Sequence, residues 1–144
     1  MSAPRGNQGG ETVDEAITVG DRMSSHVVTV RATEMLDHAA QVMVERDVGS
    51  AVIMRGDAIE GIITERDVLR AVARGLVPWS TLVADCMTAN PVTVDTVTTS
   101  DTALSMMLGN VYRHLPVVDE GELVGIVSLR DLVSNSESDA DAPQ

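Results

Sequence analysis

Two short segments of this 144-residue chain carry residue types whose spacing could do chemistry. They are Thr64-x-x-Asp67, within Gly61-Ile62-Ile63-Thr64-Glu65-Arg66-Asp67, and Ser128-x-x-Asp131, within Gly125-Ile126-Val127-Ser128-Leu129-Arg130-Asp131. In both, a hydroxyl stands where an extended run gives way to a helical one. The first amides of a helix lack intrahelical acceptors and carry the positive end of its dipole, which makes such a place an anion site. An aspartate three residues on can accept two hydrogen bonds, as the 2′,3′-diol of a ribose requires. A nucleotide offers a diol and a phosphate at about that separation. The same spacing is also a capping box, in which hydroxyl and carboxylate satisfy helix donors reciprocally. Duplication does not choose between the two, because a duplicated helix duplicates its cap.

The elements that must position these pairs recur at a constant offset of about 64 residues. Asp21-Arg22-Met23 returns as Asp85-Cys86-Met87, and Val28-Thr29-Val30 as Val92-Thr93-Val94. Asp37, Ala39 and Met43 return as Asp101, Ala103 and Met107. A single offset held through strands, helix and turn marks a folded unit. In the first unit, Val27–Val30 reads as extended, and Glu34–Arg46 has helical spacing with Thr33 as its expected N-cap. Ser50–Met54 and Ala58–Ile63 read as strands around an Arg55-Gly56-Asp57 turn, and a helix over Glu65–Arg74 stops at Gly75. The second unit repeats this with Pro91–Val94 extended, a helix over Ser100–Asn110, and strands His114–Val118 and Leu123–Val127 around Asp119-Glu120-Gly121. A short helix follows from Leu129. The expectation is a mixed α/β (α+β) chain of two β-α-β-β-α units about a pseudo-two-fold axis. Neither unit could bury its faces alone. The units are expected over 13–75 and 76–135, with a linker at 76–84 and disordered tails at 1–12 and 136–144.

Composition narrows the function classes. Trp79 and Tyr112 are the only aromatics, so the core must be aliphatic. The formal net charge is -12, and every basic residue is Arg. That balance argues against nucleic-acid and anionic-membrane partners. A single cysteine, Cys86, excludes an intrachain disulfide and a thiolate metal cluster. No signal peptide and no apolar run of membrane-spanning length is visible, so a cytoplasmic location is expected.

Taken in order, these elements resemble a tandem pair of CBS domains, the cystathionine-β-synthase-type regulatory repeat. The likeness covers roughly residues 19 to 135. In the second unit it rests on Met87-Thr88-x-Asn90-Pro91-Val92-Thr93-Val94, Arg113-His114-Leu115-Pro116-Val117-Val118-Asp119 and Gly125–Asp131. In the first it rests on Met23-Ser24, Val28-Thr29-Val30, Asp47-Val48-Gly49-Ser50-Ala51-Val52-Ile53 and Gly61–Asp67. The resemblance implies a non-catalytic module that requires no cofactor and binds an adenosyl ligand such as AMP, ADP, ATP or S-adenosylmethionine in clefts between the repeats. It implies that Asp67 and Asp131 hold ribose, with Thr64 and Ser128 near phosphate. Adenine would meet the stretches Ser24 to Val28 and Thr88 to Val92, Asn90 included. Gly49, Ser50 and Ala51, and Arg113, His114 and Leu115, would close the clefts. Arg66, Arg113 and Arg130 are the cations that could converge on phosphate. The resemblance further implies a homodimer in the form of a four-repeat disc. Such a module, with no appended enzyme or channel, would regulate a partner protein.

The two units differ where the clefts close: Arg113-His114-Leu115-Pro116 in the second stands against Gly49-Ser50-Ala51-Val52 in the first. The two sites are therefore expected to differ in affinity; the sequence leaves open which of them the added cations face, and the site containing Asp131 is the first to examine. A dimeric scaffold that has lost ligand binding is the alternative reading. No nucleophile–base pair, paired acids or metal-ligand spacing supports an enzyme. Met43, Met106 and Met107 read as core or interface filler, Cys86 as a buried thiol, His38 as a solvated helix residue, and Trp79 as a packing anchor of the linker.

Overall fold

The computed structural model describes residues 16–133; the expected tails at 1–12 and 136–144 lie outside the described residues. The repeat is visible as two sheets with helices on them. In the first unit, β1 (Thr29–Val30) runs parallel to β2 (Ser50–Arg55), which forms an antiparallel hairpin with β3 (Ala58–Thr64). The second unit matches it with β5 (Val94–Asp95), β6 (His114–Asp119) and β7 (Glu122–Ser128). Both hairpins carry a register shift at equivalent places, Ile53/Met54 and Val117/Val118. The long helices are α2 (Leu36–Arg46) and α4 (Ser100–Asn110), and α3 (Glu65–Ala73) follows the first hairpin. A helical segment at 129–133 follows the second.

Helix α2 begins two residues later than the spacing predicts. Its N-cap is Met35, which makes no side-chain hydrogen bond, so Thr33 is not the cap. The entry is held instead by tertiary contact, with the Leu36 amide donating to the Thr81 carbonyl at 2.8 Å. Helix α4 matches its expected bounds and is capped by Thr99. Helix α3 ends where expected, with Gly75 at φ +83°.

The lead-in of each repeat crosses to the other. Residues 83–87 enter the core of the first unit, where Val83 is fully buried and Cys86 and Met87 are partly buried, and β4 (Thr88–Ala89) then completes its sheet beside β3. In return, α1 (Val19–Arg22) places Val19 and Met23 against the core of the second unit. There Ser24 and Ile126 exchange two backbone hydrogen bonds of 2.9 Å. Two glycines make the crossing possible. A Cβ on Gly61 would lie 2.5 Å from Met87 Sδ and 2.9 Å from the Thr88 carbonyl oxygen, and one on Gly125 would meet Met23 Sδ and the Ser24 carbonyl at the same distances.

Two aliphatic cores result, one around Leu36, Ile53 and Ile63, the other around Met107, Leu115 and Val117. Fully burying each such side chain stabilises the fold by about 1.5–3 kcal/mol. Met43 and Met107 are buried in them as expected. Trp79 is not a packing anchor: it is 71% exposed, on a single 3-10 turn (Pro78–Ser80) that turns the ring outward. Among the described residues no helix is long and apolar enough to cross a membrane.

Candidate functional site

The hydroxyl–aspartate pairs sit at the strand-to-helix junctions, and both form capping boxes. Asp67 Oδ2 accepts from the Thr64 amide at 2.9 Å, and Thr64 Oγ1 accepts from the Asp67 amide at 3.3 Å. Asp131 Oδ2 accepts from the Ser128 amide at 2.8 Å, and Ser128 Oγ accepts from the Asp131 amide at 3.0 Å. The Thr64 hydroxyl also donates to Asp67 Oδ2 at 3.1 Å. Further amides are taken by the preceding hairpin strand: Glu65 donates to the Gly49 carbonyl, and Leu129 to the Arg113 carbonyl. Much of the anion-binding capacity of the helix ends is thus already used. The Oδ1 atoms of both aspartates make none of these bonds and remain able to accept from a ribose.

A third box shows that the motif by itself makes no site. Thr18 and Asp21 cap α1 with the same reciprocal bonds, of 3.0 and 3.3 Å, yet line neither cleft. The bond from the Thr18 amide holds the Asp21 carboxyl below its ordinary pKa. What distinguishes the other two is the concavity beside them.

The first cleft, of about 980 Å³, opens beside Thr64, Arg66 and Asp67, and its other wall comes from the second unit. The second, of about 600 Å³, opens beside Ser128, Arg130 and Asp131, and its other wall comes from the first unit. The crossed lead-ins give each cleft its floor: Thr88 and Val92 reach the first, and Ser24 the second. Arg113 and His114 line both clefts, and Leu115 lines only the first; Gly49 and Ser50 line only the second. The larger cleft with the full Arg113-His114-Leu115 wall is therefore the one beside Asp67, not the one beside Asp131. The reason is topological, since each closing segment faces the capped helix of the other repeat.

Three residues expected at the clefts line neither of them. Val28 and Ala51 are core residues, 5% and 1% exposed, and line neither cleft. Asn90 is exposed with φ +50° and spends its amide on the Glu60 carbonyl, also away from both clefts. Val28 departs from its counterpart Val92 because its carbonyl and side chain are committed to the first sheet and core. Conversely, Glu65, Arg70, Val111 and Tyr112 line the first cleft, and Asp47 and Glu65 the second, none of them named as a ligand-binding residue from the sequence. The offset of 64 pairs Asp47 with Val111 and Val48 with Tyr112, which is the signal that could have found them.

His114 stands between the clefts. A Cβ on Gly49 would meet Glu65 Oε2 at 2.7 Å and His114 Nε2 at 3.6 Å, so carboxylate and imidazole share the Gly49 corner. His114 Nδ1 is buried, with no hydrogen-bond partner among the described residues. Burial pushes the imidazole below its ordinary pKa of 6.5, Glu65, Asp131 and Asp67 pull it back up, and Arg113 lowers it further. The Cys86 thiol is pushed up, chiefly by burial and then by Asp85 and Asp67, which suits a packed thiol rather than a nucleophile. Among the described residues no cluster of three His, Cys, Asp or Glu could hold a metal.

Comparison with known proteins agrees with this architecture. The CBS domain model matches twice, over residues 19–74 and 83–138. The CBS domain-containing protein YhcV of Bacillus subtilis is 32% identical over 126 residues, spanning 87% of this chain and 89% of its own. A protein of Methanopyrus kandleri is 35% identical, but the chain spans only 62% of its length. Among solved structures, a CBS-domain-containing protein from Agrobacterium tumefaciens is 32% identical with a TM-score of 0.77, covering 83% of this chain and 98% of that one. A CBS domain protein from Pyrobaculum aerophilum, solved in complex with AMP, is 29% identical with a TM-score of 0.75, covering 81% of this chain and 91% of that one. With the repeat, the crossed lead-ins and the two matched segments in agreement, the chain belongs to the CBS-domain family as a tandem pair.

Proposed function

We propose that this CBS pair is a regulatory binding module for adenosyl ligands such as AMP, ADP, ATP or S-adenosylmethionine, and that it performs no catalysis of its own. The observation that carries this reading is the pair of clefts, each combining an aspartate whose Oδ1 takes no part in its capping box with residues from the lead-in of the other repeat. The AMP complex of the Pyrobaculum relative supports the ligand class. Ribose falls to Asp67 and Asp131, adenine to the floor around Thr88 and Val92 or around Ser24, and the 5′ substituent to Arg66, Arg113 and Arg130. The exposed apolar side chains Leu69, Val72 and Trp79 support association into a homodimer, through which ligand occupancy would reach a regulated partner.

Isothermal titration with AMP, ATP, NADH and S-adenosylmethionine tests the reading. Saturable micromolar binding of at least one, weakened tenfold or more by Asp67→Asn or Asp131→Asn, is the expected result. Silence toward all four at high micromolar concentration overturns it.

One observation favours a second reading, a dimeric scaffold without ligand. The capping boxes account for both aspartates structurally, as the Thr18–Asp21 box does for residues that line neither cleft. Under that reading Asp131→Ala lowers stability by about 1 kcal/mol and changes no ligand response.

A further inference from the structure

The pseudo-two-fold axis makes each cleft the control for the other, and their charges differ. The Asp67 cleft is lined by three arginines, Arg66, Arg70 and Arg113, against two carboxylates, Glu65 and Asp67. The Asp131 cleft is lined by two arginines, Arg113 and Arg130, against three carboxylates, Asp47, Glu65 and Asp131. The Glu65 carboxylate lies against Gly49, which lines only the Asp131 cleft, so its charge belongs more to that side. Arg113 lines both clefts and does not distinguish them, but at equivalent positions 64 residues apart the Asp67 cleft has Val111 where the other has Asp47.

The Val111 position sharpens the contrast. Asp47 and Val111 each follow a long helix in the left-handed region, at φ +56° and +65°. Aspartate adopts that region with little penalty, whereas a β-branched valine is strained there. Valine at the rim of the Asp67 cleft thus forgoes the easier residue, and it leaves no anion there. The capping box takes the Thr64 hydroxyl and the Asp67 amide, and the Gly49 carbonyl takes the Glu65 amide, so guanidinium groups supply most of the positive charge a phosphate can meet, and the arginine balance decides where it goes.

We infer that the two clefts take differently charged ligands: the Asp67 cleft an adenosine 5′-phosphate, and the Asp131 cleft an adenosyl ligand without phosphate, uncharged or cationic at its 5′ side. The inference rests on the adenosyl reading above and deepens it.

Calorimetry with AMP and with S-adenosylmethionine, singly and together, tests it. Protein saturated with AMP is expected to keep its S-adenosylmethionine affinity within about threefold. Asp67→Asn is expected to remove AMP binding selectively, and Asp131→Asn to remove S-adenosylmethionine binding selectively. Val111→Asp places the Asp47 charge at the rim of the other cleft, in a conformation that aspartate already holds in the first repeat. It is expected to weaken AMP at least about fivefold more than Val111→Asn does at low salt, with the gap closing at 0.5 M salt. Stoichiometric displacement of one ligand by the other, loss of AMP binding in Asp131→Asn alone, or equal effects of the two Val111 variants would overturn the assignment while leaving the adenosyl reading intact. If neither ligand binds, the assignment falls, and the adenosyl reading falls with it only when ATP and NADH are silent as well.

Discussion

At the residue scale, Asp67 and Asp131 join two roles that are commonly set against each other. One carboxylate oxygen closes the helix end and the other takes no part in the capping box, so under the proposed ribose role removing either side chain is expected to cost stability as well as affinity. His114 has a different logic. Its neutral form is favoured by burial, and the unfolded chain binds a proton more readily than the folded one below pH 6.5. Its contribution is therefore fully present above that value and is lost as pH falls toward the depressed folded pKa. Thermal melts between pH 7.5 and 5 should show a steeper fall in Tm for the native protein than for His114→Gln. Parallel curves would remove His114 from the account. That His114 lines both clefts was not legible from the chain, because it depends on which way β6 faces across the axis.

At the scale of elements, the hairpin-to-helix junctions were readable in advance since a strand glycine, a hydroxyl and an aspartate recur at fixed spacing. The strands, the α4 bounds and the end of α3 follow from the same local patterns. The start of α2 does not, because a backbone bond to Thr81 and not a side-chain cap sets it. The lead-ins were legible as a repeat but not as crossings. A segment as short as Val19–Ser24 or Val83–Ala89 has too few apolar positions to specify which unit it joins. Gly61 and Gly125 hold the answer in three dimensions, each lying under a methionine and a carbonyl of the other repeat's lead-in. Gly61→Ala and Gly125→Ala should each destabilise the protein by about 2–3 kcal/mol, an overpacking cost against backbone that cannot retreat. Urea melts check this, and losses below about 0.5 kcal/mol would show the crossing to be looser than drawn.

For the whole molecule, the crossings mean that neither repeat contains the whole of its own core. The first lacks Val83 and Met87, and its sheet lacks β4, if the chain ends at Gly75. A fragment of residues 16–75 should therefore give no cooperative thermal transition, whereas adding residues 76–90 should restore one. Circular dichroism on the two fragments distinguishes the cases, and a sharp transition in the shorter one would count against the interlocked reading.

The amino-acid sequence by itself determined the duplicated unit, its strand and helix order, and the hydroxyl–aspartate pairs, because each is a local pattern whose period or spacing reflects backbone geometry. Only the tertiary structure decided which repeat each lead-in joins, and that Val28, Ala51 and Asn90 lie away from the clefts. It also decided that Arg113, His114 and Leu115 wall the cleft of Asp67. These depend on packing across the pseudo-two-fold axis, where residues far apart in sequence meet and no local spacing records the encounter.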